Sequence, residues 1–184
     1  LVSQSYENLA LCHIKAKKYD KAEDAFDKAI LHNPISANVY LQMMQLQYAK
    51  GDYKAGIRFL KKYEQTTRRF SPEALALAFK LYEKQRQIGT AKNYGAMLVK
   101  MFPGSFESKQ YLLNGLDRID ADQMADDYRM SQRSSSSKNK KRVVVLSPKN
   151  NSVTASKPVT KKTSQSAKQP PSRVVKKQDV ASTS

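Results

Sequence analysis

The sequence predicts an all-α fold, a solenoid of helix hairpins followed by a disordered basic tail. Small and large apolar residues recur at helix-hairpin spacing with a period of about 34 residues. Each period is closed by a turn or a helix-stop signal, and the last is followed by one further apolar helix suited to covering an open end. The chain divides accordingly into hairpins at 1–34, 35–69 and 70–103, a capping helix with an acidic extension at 104–132, and a Ser/Lys-rich tail at 133–184.

In the first hairpin Tyr6, Leu9 and Ala10, then Ala22, Phe26 and Ala29, then Pro34 fall on the tetratricopeptide (TPR) spacing W-x2-L-G-x2-Y…A-x3-F…P, with His13 at the third aromatic position. Ala10, Ala22 and Ala29 let two antiparallel helices approach, Tyr6, Leu9 and Phe26 fill the space beside them, and Pro34 ends the second helix. Lys18-Tyr19-Asp20-Lys21 makes the turn. A second copy begins at Ser36, with Tyr40, Met43, Met44 and Tyr48 on its first helix and Lys50-Gly51-Asp52 as its turn. Ala55 and Phe59 repeat the A-x3-F element there, and Thr66 and Thr67 stand in the proline's place. The third copy starts at Ser71-Pro72-Glu73, with Ser as N-cap and Pro in the first turn. It keeps Tyr82, Ala91 and Pro103, and Gly95 replaces the second-helix aromatic. Ser105 to Leu116 then offers Phe106, Tyr111, Leu112, Leu113 and Leu116 to the open hydrophobic end of the array.

The carboxyl-rich stretch Asp117, Asp120, Asp122, Asp126 and Asp127 lacks the glycine and terminal glutamate of a calcium loop. It reads as an exposed helix face or a docking site for the basic tail. From Arg133 onward no aromatic residue remains, so the tail cannot offset a backbone ordering cost of about 1–2 kcal/mol per residue. Val143-Val144-Val145-Leu146 is suited to adding as a strand to a partner's edge.

The formal net charge of +17 points to an anionic partner, and most of the excess lies in the tail. Lys138-Asn139-Lys140-Lys141-Arg142 reads as a solvated linker before it reads as a nuclear address or phosphate patch. No aromatics interleave with these lysines, so bases have nothing to stack on and nucleic acid is not the expected partner. Leu9-Ala10-Leu11-Cys12 has the outline of a lipoprotein processing box, but Leu11 is too large before the cysteine; Cys12 is expected as a buried small thiol. His13 and His32 have no neighbour at ligand spacing and are read as ordinary helix residues, so no metal site is expected. No Gly-rich phosphate loop, nucleophile elbow or paired-carboxylate motif appears, which supports a non-enzyme and implies no cofactor.

In such arrays the first helix of each hairpin lines the concave face. The register assigns a partner-binding groove to Gln4, Asn8, Leu11 and Lys15 from the first copy, Asn38, Leu41, Gln45 and Tyr48 from the second, and Leu77, Lys80 and Lys84 from the third. Leu11, Leu41 and Leu77 would anchor a ligand helix or strand, the amides would satisfy its backbone, and the lysines would favour acidic groups. The competing reading leaves these residues facing water and puts binding elsewhere.

The order of phrases carries a resemblance. Ser5-Tyr6-Glu7-Asn8-Leu9-Ala10-Leu11-Cys12, Lys21-Ala22-Glu23-Asp24-Ala25-Phe26-Asp27-Lys28-Ala29-Ile30, Gly51-Asp52-Tyr53-Lys54-Ala55, Ser71-Pro72-Glu73-Ala74-Leu75 and Met101-Phe102-Pro103-Gly104-Ser105 together resemble the later repeats of the PilF/PilW-type family of type IV pilus biogenesis/stability proteins, or pilotins. The resemblance covers residues 1–116. It implies an outer-membrane lipoprotein facing the periplasm, which helps the pilus secretin reach the outer membrane and assemble. The chain starts at Leu1 within a hairpin, and further repeats and the lipidated cysteine are expected upstream. The long tail departs from the family's compact pattern, and a contact with anionic wall or membrane material is expected of it. Val174-Val175-Lys176-Lys177-Gln178-Asp179 resembles the opening of a peptidoglycan-binding LysM module, with Gln178 in the glycine's place. Two further readings compete: a generic adaptor that captures acidic peptide termini, and a nucleic-acid-associated protein acting through the tail.

Overall fold

The computed structural model describes the backbone of residues 1–140 and the side chains of residues 1–137. The expectations for the tail from residue 141 onward, the Val143-Val144-Val145-Leu146 strand and the LysM-like phrase lie outside the described residues. Within them the chain forms α1 (Val2–Lys15), α2 (Tyr19–His32), α3 (Ala37–Lys50), α4 (Tyr53–Thr66), α5 (Pro72–Lys84), α6 (Ile88–Met101), α7 (Phe106–Asn114) and α8 (Asp120–Lys140), with no strand among them. Consecutive helices pair as α1·α2, α3·α4 and α5·α6, and successive pairs stack.

The repeat is written in the backbone as well as in the side chains. Lys17, Gly51 and Arg86 occupy the left-handed region at φ 59°, 80° and 58°, one at the end of each first helix. Around each runs the same pair of bonds: Lys18 N–H to His13 C=O at 2.8 Å, Asp52 N–H to Gln47 C=O at 3.0 Å and Gln87 N–H to Tyr82 C=O at 2.9 Å, with a shorter-range bond from the left-handed residue itself. This is a Schellman stop, which satisfies orphan carbonyls and reverses the chain within a few residues. Only the second copy uses glycine there.

Side-chain caps start three helices: Asp52 accepts from Ala55 N–H at 3.0 Å, Ser71 from Ala74 N–H at 3.1 Å and Ser105 from Ser108 N–H at 3.1 Å. At the first crossing Ala10, Ala22, Phe26 and Ala29 are fully buried. In the second hairpin the packing register lies one residue beyond Ala55 and Phe59. Gly56 faces Leu81, where a Cβ would come within 2.6 Å of a leucine methyl, and Leu60 is fully buried while Phe59 is half-buried.

Gly95 has an equally local explanation. A Cβ there would lie 2.3 Å from the Tyr111 ring, so the side chain missing from α6 is replaced by a tyrosine delivered from α7. Tyr111 also sets its ring edge-on to Phe79, with centroids 5.3 Å apart. The helix expected to cover the end of the array therefore docks by Tyr111, Ser108 and the following Leu116, whereas Phe106, Leu112 and Leu113 remain 68%, 68% and 78% exposed. A nine-residue helix presents one face to its neighbour, and these three residues fall on the others.

Order also extends past residue 133. Once α8 is nucleated it propagates through the serine run, where Ser134 and Ser135 hydroxyls bond back to Ser131 C=O at 2.8 and 3.0 Å.

Candidate protein-binding groove

The first helices α1, α3 and α5 are joined across their shared face by side-chain hydrogen bonds. Asn38 donates to Glu7, joining α3 to α1, and Gln45 donates to Glu73 at 2.8 Å, joining α3 to α5. Gln4 donates to Asn8 along α1 at 3.2 Å. Of the eleven residues assigned to the groove, Gln4, Asn8, Lys15, Asn38 and Lys84 are exposed, and Leu11 and Gln45 are half-buried. Leu41, Tyr48, Leu77 and Lys80 are buried. Leu41, Tyr48 and Leu77 belong to the larger hydrophobic cluster and serve the core. Lys80 donates to the Asp117 carbonyl at 3.2 Å and pairs with Glu83 at 3.4 Å, so it ties down the α7–α8 connection.

Part of this face is already covered. Helix α8 packs along α3, with Ala121 buried and Met124, Ala125 and Tyr128 half-buried on the same stripe. The Tyr48 hydroxyl donates to Asp122 at 2.6 Å, Lys17 donates to Asp127, and Tyr19 meets Tyr128 edge-on at 5.4 Å. Asp122 does double duty, since its other oxygen accepts from Ile119 N–H at 2.8 Å and caps α8. Burial, reinforced by the bond to Asp122, pushes the Tyr48 phenol far above its ordinary range. The hydrogen bond to Asp127 raises Lys17, and the same bond holds Asp127 below the usual carboxylate range. A cleft beside this contact is lined by Tyr48, Lys84, Asp122, Ala125, Tyr128 and Arg129. No side-chain hydrogen bond from the described part of α8 reaches Gln4, Asn8 or Asn38, which stay open.

Sequence reasoning missed Glu7, Lys17 and Tyr19, and did not assign Asp122, Asp127 and Tyr128 to this face. Ala121, Met124, Ala125 and Tyr128 do follow helical spacing, and that stripe is the signal that was available. Cys12 is a further correction: its thiol is exposed, because it lies on the side of α1 away from α2. His32 stacks on Tyr6 at 5.5 Å. Among the described residues no cluster of His, Cys, Asp and Glu is arranged to hold a metal, and no helix is long and apolar enough to cross a membrane.

Stacked helix hairpins with a shared first-helix face define a tetratricopeptide-type scaffold, and residues 3–35 match the Tetratricopeptide repeat family. Over 109 residues the chain is 28% identical to the Type IV pilus assembly protein PilF of Pseudomonas aeruginosa, a stretch covering 59% of this chain and 43% of that one. The solved structure from the functional characterisation of Pseudomonas aeruginosa PilF superimposes with a TM-score of 0.54 at 27% identity, covering 60% of this chain and 50% of that one. PilW, described as a widely conserved type IV pilus biogenesis factor, shares the fold with a TM-score of 0.56 at 20% identity, again over 60% of this chain and 50% of its own. The chain thus spans about half the length of the relatives it matches.

Proposed function

We propose that this chain is a non-catalytic scaffold of type IV pilus biogenesis, which binds the pilus secretin and assists its localisation to, and assembly in, the outer membrane. The observation that carries the reading is the similarity to PilF in both sequence and fold, over 59% and 60% of this chain. A solenoid suits this task because its first helices present a long surface of fixed curvature without any moving part. On this reading the chain works at the periplasmic face of the outer membrane, and the open Gln4, Asn8 and Asn38 contact the secretin. The tail's basic residues contribute a charge-driven contact with anionic envelope material.

The test is co-isolation of the host's secretin with the affinity-tagged chain at rising salt. Groove binding should persist at moderate salt, and truncation at residue 140 should leave it intact. Retrieval that collapses between low and moderate salt, or that is lost with the tail, would reject this function in favour of charge-only association.

A further inference from the structure

The contact made by α8 also describes what the face it covers is built to hold. Along α8 the apolar positions Ala121, Met124, Ala125 and Tyr128 stand at i, i+3, i+4 and i+7, and the carboxylates that engage the scaffold, Asp122 and Asp127, stand at i+1 and i+6. The scaffold answers each feature: Tyr48 offers its hydroxyl to the first carboxylate, Lys17 its ammonium to the second, and Tyr19 its ring to the aromatic. Beyond them lie the exposed cations Lys18 and Lys21 in a cleft shared with Ser131 and Ser135 of α8, and Lys84 beside Asp122. Charge complementarity is therefore local to the first two turns of the helix, where Asp127 meets Lys17 and Asp122 shares a cleft with Lys84.

The hold is partial. Of the residues α8 turns toward the scaffold, Ala121 is buried, and Met124, Ala125 and Tyr128 are half-buried. The Lys17–Asp127 pair is 51% and 28% exposed, the kind of pair that contributes about 0–1 kcal/mol. The connection from α7 passes through two left-handed residues, Gly115 and Leu116, a short link that keeps α8 close whether or not it is seated. Tethering raises the local concentration of a weak ligand enough to fill a site, and leaves it replaceable by a free ligand of the same chemistry.

We infer that the turn-side half of the concave face, centred on Lys17, Tyr19 and Tyr48, is a receptor for an acidic amphipathic helix, and that α8 is the in-chain occupant that a partner's helix of this chemistry replaces. The inference rests on the scaffold reading above and specifies what the partner must bring: a narrow stripe of small and aromatic side chains flanked by carboxylates at i+1 and i+6.

The probe is a fluorescein-labelled peptide of residues 117–132, titrated into the full chain and into the full chain carrying Ala121→Asp with Tyr128→Ala, which unseats α8. Retained helicity checks that the hairpins stay folded, and Asp127→Lys alone is the milder second variant. The unseated chain should bind the peptide about ten-fold more tightly than the parent, the factor that occupancy of the site by α8 for about nine-tenths of the time would impose. Lys17→Glu in the unseated chain should weaken binding, and a peptide with Asp127→Lys should restore it. Equal affinity for parent and unseated chains, absence of saturable binding, or indifference to the Lys17 charge would overturn the inference. So would concentration-dependent dimers that exchange α8, which would make a second copy the occupant. Secretin retrieval by the parent and the unseated chain is read separately. Peptide binding without secretin retrieval removes the pilus function and keeps the receptor, and secretin retrieval with peptide failure does the reverse.

Discussion

The hydroxyl of Ser108 is fully buried where α7 meets the array and has no hydrogen-bond partner. Such a group bears its desolvation cost with nothing returned, so Ser108→Ala should raise stability by about 1 kcal/mol, read as a higher thermal midpoint. A lower midpoint would mean that the hydroxyl has a partner. Tyr19, Tyr48, Tyr82 and Tyr94 all have phenols raised above their ordinary value, in each case chiefly by burial, and at Tyr48 and Tyr94 also by the carboxylates Asp122 and Glu64 that accept hydrogen bonds from their hydroxyls. A phenol raised in the folded state contributes stability that is complete below an unfolded value of about 10 and lost as pH rises past it. Absorbance titration should therefore show Tyr48 and Tyr94 ionising only as the fold opens above that pH. Their ionisation near pH 10 with helicity intact, assigned by Tyr48→Phe and Tyr94→Phe, would contradict the buried geometry. Leu41 illustrates a constraint on the groove itself: it is buried in the main cluster, so Leu41→Ala should cost about 2–5 kcal/mol and any effect on binding would be mixed with unfolding. Asn8 and Asn38 are the cleaner probes.

At the scale of the element, the turns and the α6–α7 contact make sharp statements. Arg86 holds the left-handed stop that Gly51 supplies in the preceding hairpin, a conformation costing an L-residue about 1–2 kcal/mol. Arg86→Gly should raise the thermal midpoint, less the entropy glycine gives back in the unfolded chain. The Gly95–Tyr111 contact should reverse the sign of a substitution. In the parent, Gly95→Ala drives a methyl into the Tyr111 ring and should destabilise, despite alanine's helix preference of about 1 kcal/mol. In a Tyr111→Ala background the same change should stabilise by about that amount, and additive effects in the double-mutant cycle would show that the two residues do not touch.

Over the whole molecule, what could be read in advance follows from how much free energy each feature carries. The hairpins were legible because alanine at a helix crossing and aromatics beside it repeat at fixed spacing, as at Ala10, Ala22, Phe26 and Ala29. The second copy was read one residue out of register because Ala55/Phe59 and Gly56/Leu60 both fit a small-x3-large pattern, although a 34-residue step from Ala22 and Phe26 lands on Gly56 and Leu60, where Leu81 packs against Gly56. The half-covered end of the array was not legible, since nothing local in Phe106 to Leu116 tells which apolar residues meet α5 and α6. Helix α8 was read as an acidic extension because its aspartates were weighed against a calcium loop, whereas the apolar stripe of Ala121, Met124, Ala125 and Tyr128 between them, though at helical spacing, was not weighed. The register proposes where a groove lies, and the fold shows α8 packed along α3 on that face.

The central claim is that the shared first-helix face is where a pilus-assembly partner docks. A photocrosslinking side chain placed at Asn8 or Asn38, on that face, and in parallel at Asp24 or Arg58, exposed on the second helices, tests it most directly in the presence of the host's secretin. The account expects secretin adducts from Asn8 and Asn38 and none from Asp24 or Arg58. Adducts from the second helices alone, or from no position at all, would contradict it.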